Sequence, residues 1–228
     1  LFRFFSRRRP SAKSSALCPM SATLSALWLE TVSRAPQAAA VIDSGTGRIW
    51  TRAELDQAAE KWVSTLPPDT KPAGRRVALS EPNSAAWLVA FIGLLKAGAV
   101  VVPLDPADPL EARLATAEAV HAAWLWDRGS LRALPGRSSV SRGDLCLVKL
   151  TSGSTGTPRP LLFTHSQLAA DARLICASMG IRPDDLNLGI IPFGHSYGLG
   201  NLIAPLLVQG TGLIAAASPL PHALAADC

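Results

Sequence analysis

The densest group of chemistry-bearing residues is the run Thr151, Ser152, Gly153, Ser154, Thr155, Gly156 and Thr157, with Arg159 two positions on. Glycines let backbone N–H groups come close to an anion, and the hydroxyls add donors, so the run is suited to cradling phosphate oxygens. Arg159 supplies a permanent positive charge opposite a polyphosphate. The run is not a Walker loop: counted from Gly153, the second glycine would fall at Pro158, and no Lys-Ser/Thr pair follows. Taken from its residues alone, it also suits an ordinary flexible connection.

A second candidate is the stretch Gly194, His195, Ser196, Tyr197, Gly198, which spells GxSxG. That is the form of the nucleophile elbow of serine hydrolases, lying between an apolar strand and an apolar helix. A triad in that fold needs an acid and then a histidine downstream of the serine, but His222 and Asp227 come in the reverse order and no HG-type oxyanion segment precedes Ser196. Hydrolysis through Ser196 therefore stands only as an alternative. His121, His165, His195 and His222 are scattered singly, and none sits one helical turn from another ligand in a zinc-like pattern, so no metal site is expected.

Charge and cysteine usage narrow the classes further. Of 22 basic residues, Arg3, Arg7, Arg8, Arg9 and Lys13 lie in the first nineteen positions, where there is no acid, leaving 17 basic against 17 acidic groups in the rest. A neutral body lacks the clustered cations that a nucleic-acid backbone requires. Cys18, Cys146, Cys176 and Cys228 show no CxxC spacing, so reduced thiols and a cytoplasmic setting are expected. The basic segment 1 to 19 lacks a sustained apolar stretch and reads as an unstructured tail or as sequence upstream of a true start at Met20.

The elements that must position these groups alternate in type. Leu24, Leu27, Trp28 and Val32 recur at helical spacing behind Ser21 or Thr23 as N-cap. A strand is expected over 38 to 43, then a turn, then a helix opened by a Thr51/Glu54 capping box and stopped by Pro67 and Pro68. Strand 76 to 80, a helix from about Asn83 to Ala97, Gly98 as its left-handed stop and strand 99 to 104 follow as one β-α-β unit. Residues 85 to 104 carry one charge, Lys96, but Gly98 and Pro103 divide them into a buried helix and a buried strand, each too short to span a membrane. Next come a helix over 109 to 119, a strand over 122 to 127, a loop over 128 to 143 that could mark a subdomain seam, and a strand over 144 to 150 leading into the Gly/Ser run. A helix over 166 to 179, a strand over 186 to 191, a helical segment over 198 to 208 despite Pro205, and a last strand after Gly210 complete the pattern. The fold class is thus α/β, a largely parallel sheet with helices on both faces.

The run TSGSTGTPR resembles the phosphate-binding signature of the adenylate-forming enzymes, which include acyl- and aryl-CoA synthetases and nonribosomal adenylation domains. Arg159 stands where that family usually has lysine, and Pro160 where it usually has glycine. Three further segments match in order: IWTRAEL (49 to 55), LKAGAVVVPLDP (95 to 106) and IIPFGHSYGLG (190 to 200). The resemblance covers residues 20 to 228 and implies the first part of the family's large N-terminal domain. It implies a carboxylic acid and Mg-ATP as substrates, joined to an acyl-adenylate, with coenzyme A as acceptor. Thr151 to Thr157 and Arg159 would hold the ATP phosphates, and His195 would line the acyl side. PFGHSYG resembles the CoA-ligase form of its segment; VVPLDPADPLEARL resembles that of amino-acid adenylation domains, which is the alternative function. The family's ribose-binding and lysine-bearing segments are not found, so the chain is expected to be inactive alone.

Overall fold

The computed structural model describes residues 23–135, 140–141, 143–151 and 159–216. A four-stranded sheet contains β1 (Ala39–Asp43), β2 (Arg48–Thr51), β9 (Leu186–Gly189) and β10 (Gly212–Ala215), in the order β2-β1-β10-β9. A six-stranded sheet contains β3 (Arg76–Ser80), β4 (Val100–Pro103), β5 (Trp124–Asp127), β6 (Ser130–Ala133), β7 (Leu145–Thr151) and β8 (Arg159–Thr164), in the order β6-β5-β3-β4-β7-β8. Inside each sheet the pairs are parallel. The antiparallel partners β2, β6 and β8 lie at the edges.

The expected alternation is therefore present, divided between two sheets rather than gathered into one. The division follows from pairing across long sequence distances: β1 runs beside β10, Val41 opposite Leu213, and not beside β3. The segment expected as a loop over 128 to 143 folds back at Ser130–Ala133 to pair with β5, extending the six-stranded sheet.

Helices fill the space around both sheets. They are α1 (Leu24–Arg34), α2 (Arg52–Ser64), α3 (Ala85–Lys96), α4 (Leu110–Ala119), α5 (His165–Met179), the short α6 (Ser196–Gly198) and α7 (Ala204–Gln209), the last two joined through a π-helical turn at Leu199–Ile203. Thr23 caps α1 by accepting from the Ala26 N–H, and Thr51 with Glu54 forms the full capping box of α2. Gly98 (φ +71°) and Gly210 (φ +88°) adopt the left-handed conformation that ends α3 and α7.

Side-chain alternation explains how the six-stranded sheet is covered on both faces. Val77, Leu79 and Val101 pack into a core shared with α1, α3, α7 and the four-stranded sheet. Ala78, Val100, Val102 and Val148 face the other way, against Ala117 and Leu114 of α4. Helix α3 is buried nearly all round, which is why its sequence is apolar without periodicity. Its one charge, Lys96, ion-pairs with Asp56 (2.7 Å) and Glu60 (2.8 Å) of α2. Among the described residues no helix is long and apolar enough to cross a membrane.

Candidate active site

Strands β3, β4 and β7 run parallel, so their C-terminal ends open at one edge of the sheet. In open α/β sheets that edge is where ligands bind, because the chain leaves each strand there and spreads apart. Glu81 and Asn83 follow β3, Pro103 ends β4 with Leu104 to Pro106 after it, and Lys149 and Leu150 lie near the end of β7. With the turn Pro192 to Ser196 after β9, they enclose a cleft of about 170 Å³. The four-stranded sheet thus delivers one wall and the six-stranded sheet the rest.

That wall is tied down by one side chain. Asn83 donates from Nδ2 to the carbonyls of Gly189 (3.0 Å) and Ile191 (2.8 Å), and its Oδ1 accepts from the Phe193 N–H at 2.8 Å. Only a carboxamide offers two donors and an acceptor in this arrangement. The Phe193 ring then lodges edge-on against Trp87 of α3 at 5.5 Å. A Cβ on Gly194 would stand 2.9 Å from the Pro103 ring, and one on Gly198 only 2.1 Å from the Pro192 carbonyl oxygen, so both glycines permit close backbone approach.

His195 is exposed at the rim of this cleft and serves as N-cap residue of α6, its Nδ1 3.4 Å from the Tyr197 N–H. Ser196 is the first residue of that helix. Among the described residues the non-glycine positions with positive φ are His121 and Arg128. Ser196 is therefore not on the strained turn of a nucleophile elbow, and the two glycines of GHSYG are accounted for by packing.

Thr151 and Arg159 are directly paired across the β7–β8 hairpin, at the end of β7 that borders the cleft. Ser152, Gly153, Ser154, Thr155, Gly156 and Thr157 lie outside the described residues, between those two anchors. Arg159 is exposed. Lys149 and Leu150, just before the Gly/Ser run on β7, line the same cleft as His195, which the Asn83 bracket holds in place.

Sequence reasoning missed three polar residues here. Glu81 is 8% exposed; its Oε1 accepts from Trp126 Nε1 (2.8 Å) and the Gly129 N–H (2.5 Å), and burial raises its pKa above the usual carboxylate value. Lys149 is half-buried, its Nζ 5.2 Å from the centre of the Phe163 ring, and burial lowers its pKa. Asn83 is the third. The signal available for Lys149 was a single charge within an otherwise apolar strand; for Glu81 it was an acid immediately after one.

The remaining titratable candidates lie elsewhere. His165 is buried at the start of α5, where its Nδ1 accepts from the Leu24 N–H at 3.1 Å and burial lowers its pKa. Cys146 and Cys176 are free and buried, and burial pushes the Cys146 thiol up to about 12, which leaves it a poor nucleophile. Among the described residues no three His, Cys, Asp or Glu side chains converge as metal ligands.

Known proteins resemble the chain in sequence and in fold. The family described as "AMP-binding enzyme" matches residues 28–126 and 114–228. Pyochelin synthetase PchF of Pseudomonas aeruginosa is 38% identical over 136 residues, 51% of this chain and 8% of that protein. Feruloyl-CoA synthase of an Amycolatopsis species is 30% identical over 78% of this chain and 41% of its own length. The apo structure of MbtA from Mycobacterium smegmatis superposes with a TM-score of 0.78 at 24% identity, over 91% of this chain and 46% of that one, and so shares the fold. The chain spans less than half the length of the curated relatives it matches.

Proposed function

The chain belongs to the AMP-binding enzyme family, and on that premise we propose that it forms the phosphate-loop half of a site where ATP activates a carboxylic acid. In the reaction a carboxylate oxygen bonds to the α-phosphorus, the bond to the β-phosphate oxygen breaks, and its electron pair leaves with pyrophosphate. The acyl-adenylate is then attacked by a thiol, which gives up its proton as AMP departs. Coenzyme A is the acceptor we favour, on the PFGHSYG segment and on similarity to feruloyl-CoA synthase. The observation that supports the reading is that Lys149 and Leu150, which precede the Thr151–Arg159 pair on β7, line the same cleft as His195 at the C-terminal ends of β3, β4 and β7.

Each residue then has a physical role. Backbone N–H and hydroxyl donors from Thr151 to Thr157 bind the β- and γ-phosphates, and Arg159 neutralises charge that builds on the departing pyrophosphate. His195, at the rim, orients the carboxylate, and the Asn83 bracket fixes the distance between the two halves, which is where proximity gains arise. Magnesium would travel with the phosphates; the described residues assemble no metal-ligand group, so no step is assigned to it through this chain.

A second reading, amino-acid adenylation, is favoured by the similarity to pyochelin synthetase PchF and by VVPLDPADPLEARL. The experiment is to assay the longest natural protein containing this sequence for AMP release dependent on carboxylate and coenzyme A, against amino-acid-dependent pyrophosphate exchange. Coenzyme A dependence supports the first reading. Exchange with amino acids alone supports the second, and neither activity over fatty, aryl and amino acids refutes both.

A further inference from the structure

The hairpin that joins β5 to β6 turns through two residues, Arg128 and Gly129, with Asp127 paired to Ser130 across it. Both turn residues have positive φ, +46° at Arg128 and +82° at Gly129. That is the signature of the primed turn whose twist suits a two-residue hairpin, and its first position favours asparagine or glycine because a longer side chain is strained in the left-handed region. A surface charge needs no such backbone: Arg132, four residues on, is exposed on β6 without positive φ. The turn is joined to two segments that line the cleft. The Gly129 N–H (2.5 Å) and Trp126 Nε1 (2.8 Å) both donate to Oε1 of Glu81. The Arg128 N–H donates to the Ser80 carbonyl at 3.1 Å, and its Nη2 reaches 22 residues back along the chain to donate to the Pro106 carbonyl at 2.9 Å.

From these contacts we infer that Arg128 is a positioning residue of the cleft, its guanidinium holding the Pro103–Pro106 wall against the turn that carries His195. The wall and that turn are in close contact, since a Cβ on Gly194 would stand 2.9 Å from the Pro103 ring. Beyond Leu104, which donates its N–H to the Leu79 carbonyl at 2.9 Å, the wall leaves the sheet. Asp105 then bonds within its own turn, its Oδ1 accepting from the Ala107 N–H (2.8 Å) and its carbonyl from the Asp108 N–H (3.2 Å). The bond from Arg128 ties this turn to the rest of the molecule. That bond is exposed, so it adds little to global stability and acts locally, on where the wall sits. Backbone strain kept at a turn for the sake of a side-chain contact is the mark of a positional role. The consequence for catalysis rests on the proposed function, in which His195 orients the carboxylate beside this wall.

The test is Arg128→Asn in the longest natural protein containing this sequence. Asparagine is at ease in this turn, so the unfolding midpoint should stay the same or rise. Amide hydrogen exchange at Asp105, Ala107 and Asp108 should nevertheless quicken by about fivefold or more. The KM for the carboxylate should rise about fivefold while that for ATP changes little. Arg128→Lys keeps a donor long enough to reach the Pro106 carbonyl and should hold both readouts within about twofold of wild type. A lower midpoint for Arg128→Asn would overturn the strain at this turn. Unchanged exchange at the three amides, or a change as large in the lysine variant as in the asparagine variant, would overturn the tie. Faster exchange with an unchanged KM for the carboxylate would overturn the positioning role. Exchange is read without turnover, so a protein that activates no acid would count against the proposed function, and the tie would still stand or fall on the exchange rates.

Discussion

Asn83 is the side chain on which the two halves of the cleft depend, and its replacement makes a quantitative test. Asn83→Ala removes three hydrogen bonds, to the Gly189 and Ile191 carbonyls and from the Phe193 N–H, and leaves those backbone groups without that partner. At ~0.5–1.5 kcal/mol each, discounted because the bonds are only partly buried, the loss is about 2–3 kcal/mol. Asn83→Asp has nearly the same shape and can still accept from Phe193, but it turns both donors into an acceptor aimed at two carbonyl oxygens. It should therefore be at least as destabilising as the alanine variant, despite preserving one bond and all the packing. Urea unfolding of the wild-type chain and both variants, with m unchanged, reads the difference directly. A loss below about 0.5 kcal/mol for alanine, or an aspartate variant milder than alanine, would refute the bracket.

Gly198→Ala should lower the melting temperature sharply, by a loss of about 2 kcal/mol or more, because its Cβ would meet the Pro192 carbonyl at 2.1 Å. His165 has a folded pKa below its unfolded value of about 6.5, so the unfolded chain binds more protons as pH falls. Its contribution to stability is full above about pH 6.5 and is lost on acidification through the folded pKa; denaturation midpoints at several pH values should show this slope, and His165→Asn, which keeps an acceptor for the Leu24 N–H, should flatten it. In the longest natural protein containing this sequence, Arg159→Ala should slow pyrophosphate exchange by the equivalent of ~1.5–3 kcal/mol while Arg159→Lys is tolerated; an unchanged rate for alanine would make the hairpin structural. His195→Ala should raise the KM for the carboxylate with little change in that for ATP, and the opposite pattern would contradict its placement on the acyl side.

Local signals in the sequence carried much of the secondary structure, because caps and stops act within a few residues. Thr23, the Thr51/Glu54 box, Gly98 and Gly210 each perform where the sequence puts them. Buried strands such as β3 and β4 were legible as short apolar runs. The antiparallel edge strand β6, Ser130–Ala133, was not: it is mostly exposed and polar, so nothing in its residues distinguishes it from a loop until β5 offers it a partner. For the same reason β2 was read only as the end of a turn and the start of a helix.

The ordered motifs determined the family by sequence alone, since TSGSTGTPR and its companion segments are local words that need no partner to be read. What they left undetermined was how those segments meet. The division into two sheets depends on β1 choosing β10, and the cleft depends on Asn83 reaching the turn after β9. Asn83 looked like the first residue of a helix; α3 instead begins at Ala85 behind the Ser84 cap, which frees the asparagine to bridge. The roles of Glu81 and Lys149 were likewise left open, because a polar side chain gains its role from neighbours brought to it by tertiary packing. Propensity and periodicity are properties of adjacent residues, whereas a cleft between two sheets arises only when distant segments bury their apolar faces together.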